Sequence, residues 1–100
     1  MHPDTNLLLK ALANQHRRQI LGWLRDPQKH FPDQEHTFVL GVCAGQIERK
    51  CGLAQSTVSS HLAILQHAGL ITRERLGQTH YFKRREDTIA MLAKTLEITL

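Results

Sequence analysis

The chain has 100 residues, of which 13 are Lys or Arg, 9 are Asp or Glu, 41% are apolar and two are cysteines. This length suits one domain, residues 1–100, with a modest core, and two cysteines are too few for a disulfide framework. The sequence has no signal peptide and no apolar run of about 18 residues, so we expect a cytoplasmic protein that is not embedded in a membrane.

The positive charge is concentrated in one stretch of the sequence. Residues 73–85 contain one acidic residue and five basic ones, namely Arg73, Arg75, Lys83, Arg84 and Arg85. With a pI near 9.5, such a cluster is typical of a segment that contacts phosphates. The alternative is a basic strand pair that is simply solvated.

Two short helices are predicted at the start of the chain. Pro3, Asp4 and Thr5 are residues that favour a helix start, and the first helix ends near Asn14. Asn14 can cap a second helix, Gln15–Arg25, which Asp26 and Pro27 terminate. The inward-facing residues of this second helix are Ile20, Leu21 and Leu24, with Trp23 at its edge.

A long loop and a third helix are predicted next. Residues 28–40 contain Pro32 and have no helical period, which indicates a loop. Residues 41–51 are predicted to be helical, with Ile47 directed to the core. Gly52 follows where a helix can end in the left-handed conformation.

The fourth predicted helix carries the strongest functional signal. From Cys51 to Thr72 there is no Asp, Glu, Lys or Arg. Val58, Leu62 and Leu65 share one helix face, while Ser, Gln and His side chains occupy the others. Short hydroxyls and amides can approach base edges closely, which favours insertion into the major groove of DNA. The alternative is an ordinary pair of helices in a bundle.

The chain then changes period and ends in a helix. Ile71–Leu76 and residues 79–83 are two β-capable runs separated by Gly77 and Gln78, which predicts a hairpin. Glu86 and Asp87 favour the first turn of a last helix. Its apolar stripe is Ile89, Leu92, Leu96 and Leu100. A second copy of the chain could cover this stripe; the alternative is packing on the protomer's own core.

These residues resemble a known family. The run GLAQSTVSSHLAILQHAGLI, the basic hairpin THYFKRR and the upstream LLKALANQHRRQILGWL are similar to the ArsR/SmtB family of bacterial winged helix-turn-helix repressors. The resemblance covers nearly the whole chain. It implies a mainly α fold with a small β-hairpin, four helices preceding the hairpin and one following it.

The resemblance also implies a function and its residues. The protein would be a homodimeric repressor that binds an inverted-repeat operator in double-stranded DNA. The implied base-contacting positions are Gln55, Ser56, Thr57, Ser59, Ser60 and His61. The implied wing contacts are Arg73, Arg75, Gln78, Thr79, His80 and Lys83. The expected dimer interface consists of Leu8, Leu12, Ile89, Leu92 and Leu96. The competing hypothesis is a winged-helix module that binds protein instead of an operator.

The sequence departs from the family pattern in four places. Ala54 stands where a Ser usually caps the recognition helix, Glu48 replaces a small residue, and the loop at 28–40 is longer than usual. The fourth departure is that neither metal-sensing pattern is complete, since Gly41 precedes Val42-Cys43 where a second Cys belongs and the last helix has no His. We therefore predict no metal site of known type and no cofactor.

Three other functions for these side chains are thiol sensing, metal binding and catalysis. Cys43 and Cys51 could sense oxidants, but in one helix they would lie about 12 Å apart, too far for an internal disulfide. His30, His36 and Cys43 are an alternative metal set. No nucleophile elbow or phosphate-binding glycine loop is present, so we expect no enzyme activity. The sequence is compatible with an inducer that is a small molecule and with one that acts by oxidising a thiol.

Overall fold

The computed structural model describes residues 4–35 and 37–100. Within these residues the helices are α1 (Thr5–Leu12), α2 (Gln15–Arg25), α3 (Pro27–His30), α4 (Ala44–Cys51), α5 (Gln55–His67) and α6 (Glu86–Thr99). The strands are β1 (Val42–Cys43), β2 (Ile71–Leu76) and β3 (Thr79–Arg84). Pro3 and His36, which entered the predicted helix start and the alternative metal set, lie outside the described residues. No described helix has both the length and the apolar character needed to cross a membrane.

The first two helices begin at the caps that the sequence predicts. Asp4 Oδ1 accepts a hydrogen bond from the backbone N–H of Leu7 at 3.2 Å. Asn14 Oδ1 accepts from the N–H groups of His16 and Arg17 at 2.9 and 3.1 Å. Each carboxamide or carboxylate oxygen satisfies a helix N–H that has no partner within the helix.

The helix-turn-helix forms as predicted around Gly52. This residue has φ +66° at the carboxyl end of α4, and its N–H donates to the carbonyl of Glu48 at 3.2 Å. A residue without Cβ adopts this left-handed conformation at little cost, so the chain can turn immediately into α5.

The prediction of a helix over residues 41–51 is wrong at its start. Val42–Cys43 forms a strand that pairs with β3, with Val42 opposite Phe82 and Cys43 opposite Tyr81. Gly41 has φ +112°, and a Cβ built on it would lie 2.1 Å from the carbonyl oxygen of Phe82. The close backbone approach that only glycine permits therefore sets a strand, not a helix, before Ala44.

The prediction of an irregular loop over residues 28–40 is also partly wrong. Pro27 begins the single-turn helix α3, since its fixed φ suits the first helical position. Phe31 follows and is only 2% exposed. The Gln34 side chain then ties the loop to the strand: Nε2 donates to the Gly41 carbonyl and Oε1 accepts from the Cys43 N–H, at 3.1 and 3.0 Å.

The sheet is antiparallel, in the order β1-β3-β2. β2 and β3 form the predicted hairpin, closed by Gly77 and Gln78 between Leu76 and Thr79. Gly77 has φ +62°, and no non-glycine residue described has a positive φ, which fits a two-residue turn with glycine in its first position.

One hydrophobic core joins α5, the sheet and the first helices. Its fully buried side chains include Leu8, Ile20, Phe31, Val42, Ile47, Val58, Leu65, Leu70 and Ile71. In contrast, α1 buries only Leu8 and Ala11, and α6 only Thr88 and Leu92. The first and last helices therefore keep apolar surface outside the core.

The contact at Gly41 generates a stability prediction. We expect Gly41→Ala to lower the free energy of unfolding by about 2 kcal/mol or more, because the methyl group meets the Phe82 carbonyl and the positive φ disfavours alanine. Gly22→Ala is the matched control. It lies inside α2 with nothing within 4 Å of the added Cβ, so it should stabilise by about 0.5–1 kcal/mol. Urea unfolding of both variants measures the difference, and equal effects would contradict the role of Gly41.

Candidate nucleic-acid interface

Helix α5 presents one buried and one polar face. Val58, Leu62 and Leu65 are at most 4% exposed. The predicted contact residues Gln55, Ser56, Thr57, Ser59 and Ser60 are all exposed. Since the apolar side is anchored in the core, the uncharged hydrogen-bonding groups are held outward in a fixed orientation.

The start of α5 has no side-chain cap. Ala54 occupies the capping position with φ −58° and ψ 144°, and no side chain there accepts a hydrogen bond from the first turn. The first backbone N–H groups of α5 are therefore left to solvent or to an anionic partner. This agrees with the prediction that the family's capping serine is lost.

The hairpin register divides the predicted wing residues between two faces. Arg75 pairs with His80 and Arg73 with Phe82, so these four side chains share one face of the sheet. Thr79 and Lys83 lie on the other face, and Gln78 lies in the turn. The Nζ of Lys83 donates to the carbonyl of Val39 at 3.0 Å, which directs this lysine towards the loop before β1.

A cleft of about 210 Å³ separates α5 from the first of these faces. Its polar lining comes from α4, α5, β2 and β3 and comprises Glu48, Gln55, Ser59, Gln66, Arg73 and His80. The Nδ1 atom of His80 is buried and has no hydrogen-bond partner among the described residues. The structure thus brings the predicted residues Gln55, Ser59, Arg73 and His80 together, and adds Glu48 and Gln66.

Ion pairs reduce the number of free cations at the wing. Arg84 pairs with Glu86 at 2.8 Å and Arg85 with Asp87 at 3.0 Å. The hydrogen bond from Arg85 is the main cause of a lowered pKa for the Asp87 carboxyl. Of the five clustered cations, Arg73 and Arg75 are therefore the ones left on the α5 side of the sheet.

His61 lies at the edge of the polar face of α5 and contacts α2. Its Nδ1 is 3.2 Å from Nη1 of Arg17, and its ring centroid is 5.9 Å from that of His16. Burial, followed by the charges of Arg17 and His16, lowers the pKa of His61. The ring is only half-buried, so it stays within reach of the same surface as Ser60.

Sequence reasoning missed Arg17, although one signal was present. Arg17 and Arg18 stand in the first turn of α2, and no acidic residue accompanies them. Cations at a helix amino terminus oppose the helix dipole, which usually disfavours them by about 0.3–1 kcal/mol. Two arginines in this position indicate tertiary partners. Arg17 donates to the α1 carbonyls of Ala11 and Lys10, and Arg18 to that of Leu12.

The two cysteines lie at opposite ends of α4. Cys43 is the last residue of β1 and caps α4, so it is not inside the helix as predicted, whereas Cys51 ends the helix. Both are free and half-buried, and burial raises the pKa of Cys51. In the described parts of the chain, no three His, Cys, Asp or Glu side chains cluster as metal ligands would.

The residues expected at a dimer interface differ in exposure. Leu8 and Leu92 are buried in the protomer's own core, at 1% and 6% exposure. Leu12, Ile89 and Leu96 are half-buried at its edge. The more exposed apolar residues of the same two helices are Leu9, Met91 and Ile98.

Comparisons with known proteins agree with this geometry. Residues 42–73 match the model of the bacterial regulatory protein, arsR family. The chain is 46% identical over 92 residues to the uncharacterised HTH-type transcriptional regulator YbzH of Bacillus subtilis, covering 90% of this chain and 92% of that protein. It is 33% identical over 76 residues to the transcriptional activator HlyU of Vibrio cholerae, covering 76% of this chain and 58% of that protein.

A solved structure shows the same fold. The ArsR family transcriptional regulator RHA00566 superposes with a TM-score of 0.73 at 18% identity, covering 97% of this chain and 88% of that chain. At this identity the likeness concerns the fold alone. The predicted mainly α winged helix-turn-helix is confirmed.

The environment of Cys51 generates a reactivity prediction. In a Cys43→Ser variant, we expect Cys51 to react with iodoacetamide more slowly at pH 7.5 than the same protein unfolded in urea, because its raised pKa leaves less thiolate. The pH at which the rate is half-maximal should be higher in the folded protein. A rate equal to that of the unfolded chain would contradict this environment and would favour a thiol sensor.

Proposed function

Since this chain belongs to the ArsR family of bacterial transcriptional regulators, we propose that it is a homodimeric repressor that binds an inverted-repeat operator through α5 and the wing. Membership of the family makes it a DNA-binding regulator and not an enzyme. The observation that carries the proposal is the exposed, uncharged polar face of α5 beside a sheet face that holds Arg73 and Arg75.

We assign base contacts to α5 and backbone contacts to the wing. An α-helix fits the major groove, where a glutamine such as Gln55 can bond both to N6 and to N7 of adenine. Ser56, Thr57, Ser59 and Ser60 offer short hydroxyls to bases or phosphates. Arg73 and Arg75 face the same side and can neutralise phosphates, which supplies affinity without sequence preference.

Exposed apolar surface on α1 and α6 supports a homodimer. The 14 residues of α6 bury one apolar side chain, Leu92, within the protomer. Met91 and Ile98 remain 41% and 72% exposed, and Leu9 of α1 is similarly open. A second copy would cover these residues with an identical surface. Two α5 helices spaced by about one DNA turn, roughly 34 Å, would then match an inverted repeat.

Repression is the simplest outcome of operator binding, since a bound dimer can exclude the polymerase. Activation of transcription is the second candidate function, because the relative HlyU is named a transcriptional activator. A promoter-reporter strain with and without the gene distinguishes them, because loss of a repressor raises expression and loss of an activator lowers it. We propose that the protein acts in the cytoplasm and that a small-molecule or redox inducer, if one operates, loosens binding.

The division between base and phosphate contacts is tested with point variants. By fluorescence anisotropy on DNA from upstream of its own gene against scrambled DNA, Gln55→Ala should lower the specific-to-random affinity ratio roughly tenfold, as expected for one lost bidentate contact. Arg75→Ala should weaken both complexes about equally and flatten the salt dependence by about one charge. Lys29→Ala removes an equal charge from an exposed position on α3, a helix with no assigned contact to DNA or to the second copy, and should change the affinity least. An unaltered ratio for Gln55→Ala would mean that α5 does not contact bases as assigned.

The dimer is tested at an exposed position. We expect Met91→Glu to produce folded monomers in sedimentation velocity, because a carboxylate would be buried against the partner copy. Val39→Glu makes the same kind of change on the loop before β1, at a side chain that is 71% exposed, and should stay dimeric. Circular dichroism verifies that both variants are folded. A dimeric Met91→Glu protein would move the interface away from α6.

A further inference from the structure

One guanidinium connects three helices. Arg17, on α2, donates from Nε to the carbonyl of Ala11 at 2.7 Å and from Nη2 to that of Lys10 at 3.2 Å. Both acceptors are at the carboxyl end of α1, where helix carbonyls lack internal partners. The remaining arm, Nη1, reaches Nδ1 of His61 on α5 at 3.2 Å. Each of the three guanidinium nitrogens is thus engaged in one hydrogen bond.

The chemistry of arginine determines the state of the histidine. A guanidinium can only donate hydrogen bonds, so the Nδ1 of His61 must accept and cannot carry a proton. A neutral ring in this arrangement holds its single proton on Nε2. Within the described residues, Nε2 has no hydrogen-bond partner, and it is not among the buried unsatisfied atoms. The Nε2–H group is therefore an open donor on the surface next to Ser60.

We propose that Arg17 is a positioning residue that holds His61 as a fixed Nε2–H donor to an acceptor on DNA, and so connects α1 to the DNA-contacting face of α5. This inference rests on the proposed function and assigns a role to a residue outside the DNA surface. It differs from a direct phosphate contact, because each nitrogen of the Arg17 guanidinium already donates to a group of the protein.

The surroundings keep the ring neutral. The charged or titratable groups facing His61 are Arg17 and His16, both on α2, while α1 contributes the backbone carbonyls of Lys10 and Ala11. Burial and these two groups lower the pKa of His61. The neutral form is then populated above the ordinary histidine pKa, and it is lost only when the pH falls through the lowered value.

The tautomer is tested without DNA. Long-range ¹H–¹⁵N spectra of the His61 ring at pH 7.5 should show the Nε2–H form in the native protein and a mixture of tautomers in Arg17→Lys. A lysine cannot span the α1 carbonyls and His61 at once. Arg18→Lys is the matched control, because the neighbouring arginine also donates to α1, at Leu12, but does not contact His61. A native ring protonated on Nδ1 overturns the proposal.

The role in binding is tested by a double-mutant cycle on upstream DNA. Arg17→Lys and His61→Phe should each weaken specific binding about three- to tenfold, the range for one hydrogen bond, and the double variant should be no weaker than the weaker single variant. His61→Gln places an amide donor near the position of Nε2. It should recover part of the affinity lost in His61→Phe, and Arg17→Lys should then have little further effect.

The outcomes separate the inference from the proposed function. If the native protein does not select upstream DNA, the proposed function fails and the DNA role of Arg17 falls with it, whatever the spectra show. If it selects that DNA but the two single effects add in the double variant, the inference fails alone. Thermal unfolding of each variant ensures that the affinities compare folded proteins, and an Arg18→Lys effect as large as that of Arg17→Lys would also overturn the proposal.

Discussion

The burial of one face of α5 is the constraint on which the rest of the structure depends. Val58, Leu62 and Leu65 are buried among Ile20, Ile47 and Ile71 in one core. Each such side chain contributes roughly 1.5–3 kcal/mol relative to exposure. Because this anchoring fixes the rotation of α5 about its axis, the hydroxyl and amide groups on the opposite face cannot turn away from the surface. A helix without charges can then be exposed and still have one defined orientation.

The sheet forms the second part of the candidate DNA-contacting surface, and the register of its strands decides which of its cations face α5. Strand alternation places Arg73 and Arg75 on the side of α5 and Lys83 on the other. Arg84 and Arg85 are neutralised by Glu86 and Asp87 at the start of α6. The stretch 73–85, whose balance of +4 equals the net charge of the whole sequence, thus brings only part of its charge to the candidate DNA-contacting surface. The remainder joins β3 to α6 and the hairpin to the loop before β1.

Local signals made much of this fold predictable. The caps Asp4 and Asn14, the left-handed Gly52 and the Gly77–Gln78 turn each depend on residues within a few positions, so the sequence determined them directly. The strand Val42–Cys43 could not be found in this way, because it exists through pairing with Phe82 and Tyr81, some 40 positions away. A strand of two residues is too short to show the alternation of buried and exposed side chains that identifies a strand. Gly41, which precedes it, is equally compatible with the start of a helix.

The candidate site, like the fold, was predictable where it depends on local sequence and not where it depends on tertiary contacts. The polar face of α5 follows from its helical period, and the structure exposes it as expected. Which wing residues meet that face depends on strand register, which a hairpin turn only partly defines. The Arg17–His61 contact joins positions 44 apart in the sequence. The only sequence feature that indicates it is the unfavourable placement of two arginines at the start of α2. The exposures of Leu8 and Leu92 likewise depend on tertiary packing that an apolar stripe alone does not specify.

A small protein of this design has few ways to connect the proposed dimer surface with the proposed DNA-contacting surface. The apolar residues left exposed on α1 and α6 lie on other elements than α5, and packed side chains and hydrogen bonds between elements can carry small shifts from one surface to the other. Arg17 is such a contact, because it holds the carboxyl end of α1 and the edge of α5 with one rigid group. A change in how α1 packs against a second copy would alter the geometry of that guanidinium, and with it the orientation of the His61 ring. The same arrangement that organises one donor therefore provides a physical route by which assembly could affect DNA affinity.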